Sequence, residues 1–301
     1  REETAELGEA INRIMGLYNF LVMLPAAEWL VHLRPPGLAE FVRARKRIDA
    51  IVYRMIDAHR IDGRRIDARI SDAQQRGGVD RGSLLDLMLA ASPGNDEASR
   101  QSLRDQVITI FLAGYETVAN ALSWTWYLLS QNPDCEARLH GELAEVLAGR
   151  LPVVEDIARL RYTENVLAES LRLYPPAWAM GRYARQDFAL GEYFLPAKTT
   201  VLISQFITHR DPRFFPDPLR FDPDRFTAEG KAQRIKFTYF PFGAGARQCV
   251  GESFAWMEGV LVLATLAQKW KLRLVPGHRV EPQPLITLRP KYGMVMEIEP
   301  R

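Results

Sequence analysis

Phe240-Pro-Phe-Gly-Ala-Gly-Ala-Arg-Gln-Cys-Val-Gly251 holds one of the chain's two cysteines in a frame that packing alone does not call for. Cys249 stands just ahead of an apolar run, Val250 to Leu266, that reads as a helix. The free N–H groups and positive dipole end of a helix start favour a thiolate, the form of cysteine that binds metals. Gly243 and Gly245 permit a tight turn and a close approach of backbone to a flat ligand, and Gly251 keeps the first helical turn clear of it. Arg247 offers a planar fork for a carboxylate on such a ligand. Phe242 is placed to cover the sulfur and keep water off it. A dinucleotide loop is excluded, because Gln248 stands where the third glycine after Gly243-Ala-Gly245 belongs.

Phe242, Gly245, Arg247, Cys249 and Gly251 fill the fixed places of F-x-x-G-x-R-x-C-x-G, which arises by chance in on the order of one chain in ten thousand. The stretch resembles the haem-thiolate loop of the cytochrome P-450 family. That resemblance implies a mainly α (α+β) fold with a long central helix and small β-sheets. It also implies haem b, iron protoporphyrin IX, with Cys249 as the metal ligand and Phe242, Gly243, Arg247 and Gly251 around the cofactor.

With 301 residues, 47% apolar and 25% charged, the chain has the composition of a globular protein with a sizeable core. A net charge of +2 without a long basic block argues against nucleic acid as the main partner. Cys135 and Cys249 are too few and too far apart for a disulfide framework or a multi-cysteine zinc site. Cys135 reads as inert, and a reducing, cytoplasmic location is expected, the opening Arg-Glu-Glu-Thr-Ala-Glu carrying no signal-peptide pattern. The apolar run Val107 to Leu129 has Glu116 and Asn120 in its middle, so a core helix is expected there and not a membrane span.

Taken in order, Glu2–Phe20 reads as a helix and Leu21–Pro36 as an apolar loop. A second helix starts at Leu38 and runs toward residue 70, its apolar stripe including Phe41, Val42, Ile48, Ile51, Val52 and Ile56. This pair resembles the family's F and G helices, and the whole chain resembles a partial, N-terminally incomplete P-450 domain, 1–301, that begins near the F helix. Two amphipathic helices without a special task fit the same residues. Ser71–Gly82 reads as a loop, followed by a short helix containing Leu84 to Leu89.

Asn95–Ser130 is the longest helical signal, capped by Asn95. Ala113, Gly114 and Thr117 share one face of it, beside Glu116. A groove lined by an alcohol and a carboxylate suits proton delivery to a reduced oxygen species. Ala113-Gly-Tyr-Glu-Thr117 resembles the family's distal helix motif, which implies Glu116 and Thr117 as catalytic residues and Ala113 and Gly114 at the cofactor. Asn132–Gly149 reads as a helix with Asn132 as N-cap, and Arg161–Tyr174 as another, stopped by Pro175-Pro176.

Glu169-Ser-Leu-Arg172 resembles the family's E-x-x-R, which implies a buried structural triad of Glu169, Arg172 and Arg225. Strands are expected at Arg182–Leu190, Tyr193–Leu195, Thr200–Phe206 and within Lys271–Arg301. The resemblance places Arg182 on a haem propionate, and Phe111, Ala113, Ala177, Trp178, Ala179, Met180, Leu285, Ile286 and Thr287 along a substrate pocket. Pro196-Ala-Lys198-Thr departs from the family's Pro-x-Gly-Thr and leaves the turn type open. His209 reads as a satisfied loop residue.

The implied reaction inserts one atom of O2 into a small apolar organic substrate in a monomeric enzyme. No flavin or nicotinamide segment is present, so electrons come from an external donor: a ferredoxin, a flavodoxin or a reductase. Lys231, Arg234, Lys236 and Arg247 form a candidate docking patch for it. A peroxide-driven peroxygenase, a non-catalytic haem binder and a haem-free partner-binding fragment are the other readings of the same residues.

Overall fold

The computed structural model describes residues 38–75, 83–92, 94 and 96–301. The expected helix at 2–20, the loop at 21–36 and the Asn95 cap lie outside the described residues. Contacts divide the chain into two units, residues 1–113 and 114–301.

In the first unit, α1 (Leu38–Gln75) and α2 (Leu84–Ala91) accompany the opening turns of α3 (Glu97–Gln131). Ile48, Ile51, Val52 and Ile56 recur at helical spacing on α1 and bury together with Leu103 of α3. Leu85, Met88 and Leu89 of α2 pack against that cluster. Ion pairs from Arg104 to Asp49 and from Arg100 to Asp57 join α3 to α1. At the start of α2 the Ser83 hydroxyl accepts from the Asp86 N–H, while the Asp86 carboxylate accepts from the Ser83 N–H at 2.6 Å. α1 continues to Gln75, into the stretch expected to be a loop; Ser71 to Gln75 contain no glycine or proline to stop it.

The core of the second unit is built by the remainder of α3, α4 (Pro133–Leu147), α5 (Arg161–Leu173) and α8 (Glu252–Ala267). Leu129, Leu139, Leu143, Val166, Leu167, Val260 and Leu263 meet in one buried cluster. Asn132 precedes α4, but its side chain does not cap it: the amide donates back to the Leu128 carbonyl of α3 at 2.7 Å. α5 has Leu160 at its N-cap, a side chain without an acceptor. Glu142 of α4 takes the role, accepting the Tyr162 and Thr163 N–H groups at 2.6 and 2.8 Å.

Four antiparallel pairs accompany the helices. β1 (Met180–Tyr183) pairs with β4 (Thr200–Ile203), and β2 (Phe188–Leu190) with β3 (Tyr193–Leu195). β5 (Trp270–Leu274) pairs with β8 (Met296–Pro300), and β6 (Pro282–Pro284) with β7 (Leu288–Pro290). The strand expected over Arg182–Leu190 is therefore two strands, separated where Ala184 exchanges backbone bonds with Thr199 and Lys198. The one expected over Thr200–Phe206 stops at Ile203, because Ser204 caps the short helix α6 (Gln205–Thr208). Lys198 adopts φ +71°, so the turn keeps a left-handed residue although a lysine occupies the place. A further short helix, α7 (Ala228–Gln233), precedes the cysteine loop.

Candidate functional site

Three local hydrogen bonds shape the cysteine loop. The Gly243 N–H donates to the Phe240 carbonyl at 2.9 Å, Gln248 to Gly245 at 3.0 Å, and Cys249 to Phe242 at 2.9 Å. Gly243 and Gly245 take φ +75° and +71°, conformations an L side chain adopts at a cost. A Cβ at Gly243 would make ordinary contact with the Met180 methyl at 3.4 Å. Met180 of the predicted pocket segment thus sits against the loop. Phe242 packs against the core beside Trp256, with ring centroids 5.6 Å apart. Gly251 is the N-cap position of α8, and a Cβ there would make ordinary contact with the Cys249 sulfur at 3.9 Å. Cys249 itself is exposed, and Val250 beside it is 99% exposed.

Behind the loop stands a buried ion pair. Arg172 donates to both oxygens of Glu169 at 2.6 and 2.7 Å, and both side chains are fully buried. Arg225 approaches the same carboxylate at 3.5 Å, and the Asp222 N–H donates to it at 2.9 Å. Nη1 of Arg172 donates to the carbonyls of His209 and Pro218, and Nη2, besides Glu169, donates to the Arg220 carbonyl. Burial pushes the Glu169 carboxyl up from its ordinary range, and the Arg172 contact pulls it back. The structure brings Glu169, Arg172 and Arg225 together.

On α3 the polar step forms a stripe. Glu116, Asn120 and Trp124 are spaced four residues apart, on one face of the helix. Glu116 and Asn120 reach the segment that joins β6 to β7, and Trp124 reaches the first residue of β7. The Thr287 hydroxyl donates to Glu116 Oε1 at 2.6 Å and accepts from Asn120 Nδ2 at 3.2 Å. The Trp124 indole donates to the Leu288 carbonyl at 3.0 Å. The same segment is fastened to the 177–180 stretch, where the Trp178 indole donates to the Leu285 carbonyl at 2.7 Å. Glu116 Oε2 is buried and has no partner among the described residues.

Thus Trp178, Leu285, Thr287 and Glu116 converge within the second unit. Ala177, Ala179 and Ile286 lie in the segments so joined, and Gly114 and Thr117 flank Glu116 on α3. Phe111, expected along the pocket, packs against the Ile48 cluster of the first unit, to which Ala113 also belongs. Arg182 lies in β1 opposite Val201 and donates to the adjacent Gly181 carbonyl. Of the basic patch, Lys231 pairs with Glu164 at 2.9 Å. Arg234 lies over Phe226 and Tyr239 and donates to the Arg225 carbonyl. Lys236 and Arg247 are exposed.

Sequence reasoning passed over Asn120 and Trp124 as parts of the site; their four-residue spacing from Glu116 is the signal that finds them. His209, expected as a satisfied loop residue, also connects to the cysteine loop. The His209 ring is fully buried, and its Nε2 accepts the Phe240 N–H at 3.0 Å.

The residues fit a haem. Among the described residues no three His, Cys, Asp or Glu side chains gather as a metal site. A single thiol suits an iron that a macrocycle already holds, and the apolar exposed surface at Val250 beside it suits a flat apolar group.

The architecture defines a class: a mainly helical protein with an accessible thiol on a glycine loop ahead of a core helix, braced by a buried Glu-Arg pair. The cytochrome P450 family model matches residues 1–297, and the chain belongs to that family. It is 42% identical over 252 residues to cyclooctatin synthase of Streptomyces melanosporofaciens, covering 82% of this chain and 51% of that protein. Cyclooctat-9-en-7-ol 5-monooxygenase of the same organism is 38% identical over 250 residues, 81% of this chain and 50% of the relative. Pentalenene oxygenase of Streptomyces avermitilis is 37% identical over 217 residues, 71% and 48%. A solved cytochrome P450, CYP102L1, superposes with a TM-score of 0.73 at 29% identity, covering 88% of this chain and 58% of that one. The chain spans about half the length of the curated relatives it matches. No helix among the described residues is long and apolar enough to cross a membrane.

Proposed function

We propose that this chain is the cysteine-bearing part of a haem-thiolate monooxygenase, a partial P450 domain that inserts one atom of O2 into an apolar organic substrate. The observation that carries the reading is the accessible Cys249 thiol at the end of a loop that two left-handed glycines hold open. Cys249 would hold the iron of haem b through its sulfur, with Phe242, Gly243, Arg247 and Gly251 around the group and Arg182 and Arg247 for its propionates. Bound there, the haem supplies a redox-active iron whose thiolate ligand favours heterolytic cleavage of the O–O bond.

The chain's own residues supply the proton path and the cleft. Glu116 holds or passes a proton at Oε2, the oxygen without a partner among the described residues, while Oε1 is fixed by the Thr287 hydroxyl. Thr117 adds an alcohol on the next position of α3. Trp178, Met180, Leu285 and Ile286 would give a substrate site an apolar wall that excludes water and favours a hydrocarbon-like substrate. Two relatives are named for oxygenating cyclooctat-9-en-7-ol and pentalenene, and an apolar cyclic molecule of that kind is the substrate class proposed here. Electrons come from an external acidic donor that meets the cysteine side, where Lys236 and Arg247 stand exposed.

The test supplies the haem-loaded protein with a ferredoxin, its reductase, pentalenene and labelled O2. Product carrying one labelled oxygen supports the reading. A loaded protein that consumes reductant without oxygenating any apolar substrate offered, or that needs only peroxide, contradicts it.

A further inference from the structure

His209 is the buried titratable group that the proposed reaction does not use. It lies where α6 ends, walled in by the rings of Phe215, Tyr239 and Phe240, with centroids 5.2 to 6.5 Å away. Its two ends belong to different parts of the site. The backbone carbonyl of His209 accepts from Arg172 at 2.8 Å, the arginine that grips Glu169. Its Nε2 accepts the N–H of Phe240 at 3.0 Å, the residue at which the cysteine loop begins. Phe240 then accepts from Gly243, and Phe242 accepts from Cys249, each at 2.9 Å. An unbroken series of hydrogen bonds and short backbone steps thus runs from the buried ion pair to the thiol.

The acceptor must be uncharged nitrogen. Nε2 receives an N–H, so the ring proton resides on Nδ1, and a protonated ring would turn the acceptor into a second donor facing the Phe240 amide. Burial and the neighbouring Arg172 push the His209 pKa down to about 3, which keeps the ring neutral. Tyr239, one residue ahead, fastens the same approach to the loop by donating its hydroxyl to the Ala168 carbonyl of α5 at 3.0 Å.

We infer that His209 is a positioning residue: through its bond to the Phe240 amide it fixes the start of the cysteine loop and so the placement of the Cys249 thiol. The inference rests on the reading of Cys249 as a haem ligand, but its test does not depend on haem alone. A general stabilising role predicts that removing the ring loosens the whole unit; a positioning role predicts a local effect that one acceptor atom restores.

The experiment follows amide exchange by mass spectrometry across peptides covering 236–251, α5 and α8, in the wild type, His209→Phe, His209→Gln and His209→Asn. Phenylalanine fills the space without an acceptor. The glutamine oxygen reaches the place of Nε2, and the shorter asparagine oxygen does not. The expected result is exchange at Phe240 to Gly243 roughly tenfold faster in His209→Phe, with α5 and α8 unchanged and His209→Gln near wild type. In the haem-loaded proteins the reduced, carbon-monoxide-bound Soret band loses its strongly red-shifted fraction in His209→Phe and regains it in His209→Gln. If His209→Phe does not fold, faster loop exchange in His209→Asn than in His209→Gln supports the inference, and equal exchange overturns it. Unchanged loop exchange in every variant, or acceleration spread evenly through α5 and α8, also overturns it. A wild type that takes up no haem overturns the ligand reading instead, while the exchange comparison still decides whether His209 holds the loop.

Discussion

Thr287 shows how much one hydroxyl can decide. It donates to Glu116 and accepts from Asn120, so its hydrogen is aimed at the carboxylate and not free to turn away. Thr287→Val keeps the shape and removes both bonds. In the proposed reaction it lowers product formed per O2 consumed on the order of tenfold, whereas Thr287→Ser keeps most of the coupling. Equal coupling in all three proteins contradicts a role for the hydroxyl. Gly243→Ala forces a side chain onto a residue at φ +75°. A loss of about 1–2 kcal/mol is expected, read as a lowered denaturant midpoint at unchanged slope. His209 makes a pH prediction. Its pKa falls from 6.5 in the unfolded chain to about 3 when folded. The unfolded state therefore binds the proton first as pH drops, and the contribution of this ring to stability is full above 6.5 and shrinks toward pH 3. His209→Gln removes that dependence, so its acid-side loss of stability is shallower than the wild type's. Matching slopes contradict the assignment.

At the scale of elements, the buried and exposed ion pairs behave differently. Arg172 and Glu169 are fully buried, so Arg172→Leu strands a carboxylate without its main partner and costs about 3–5 kcal/mol. Arg138 pairs with Asp224 in two good hydrogen bonds, but both side chains are about half exposed, and Arg138→Ala costs at most about 1 kcal/mol. Chemical denaturation of the two variants side by side checks the contrast. This is also where the legibility of the sequence divides. The three-residue spacing of Glu169 and Arg172 announces a pair on one helix face, and Pro175-Pro176 announces the end of α5. Nothing in the spacing announces that Arg172 also takes the carbonyls of residues 209, 218 and 220, because those bonds join segments far apart in the chain. The helices were legible from apolar periodicity and the cysteine loop from its glycines. The break between β1 and β2 and the end of β4 were not. There, long-range backbone pairing at Ala184 and the Ser204 cap overrule a run of strand-forming residues.

At the scale of the molecule, a half-length chain of this family still contains the segments that its proposed chemistry requires of it: a thiol loop, a buried brace and an acid-bearing helix. On the cysteine side Lys231 is already paired with Glu164, whereas Lys236 is exposed. Charge reversal at Lys236 is therefore expected to weaken the salt dependence of electron transfer from an acidic donor, and reversal at Lys231 to change it less. Stopped-flow reduction across ionic strengths reads both. The central claim, that Cys249 ligates a haem iron as a thiolate, is tested most directly by the absorption spectrum of the haem-reconstituted, reduced, carbon-monoxide-bound protein. A strongly red-shifted Soret band is expected in the wild type and its absence in Cys249→Ala. A wild type without that band, or a Cys249→Ala protein that retains it, rules out thiolate ligation by Cys249.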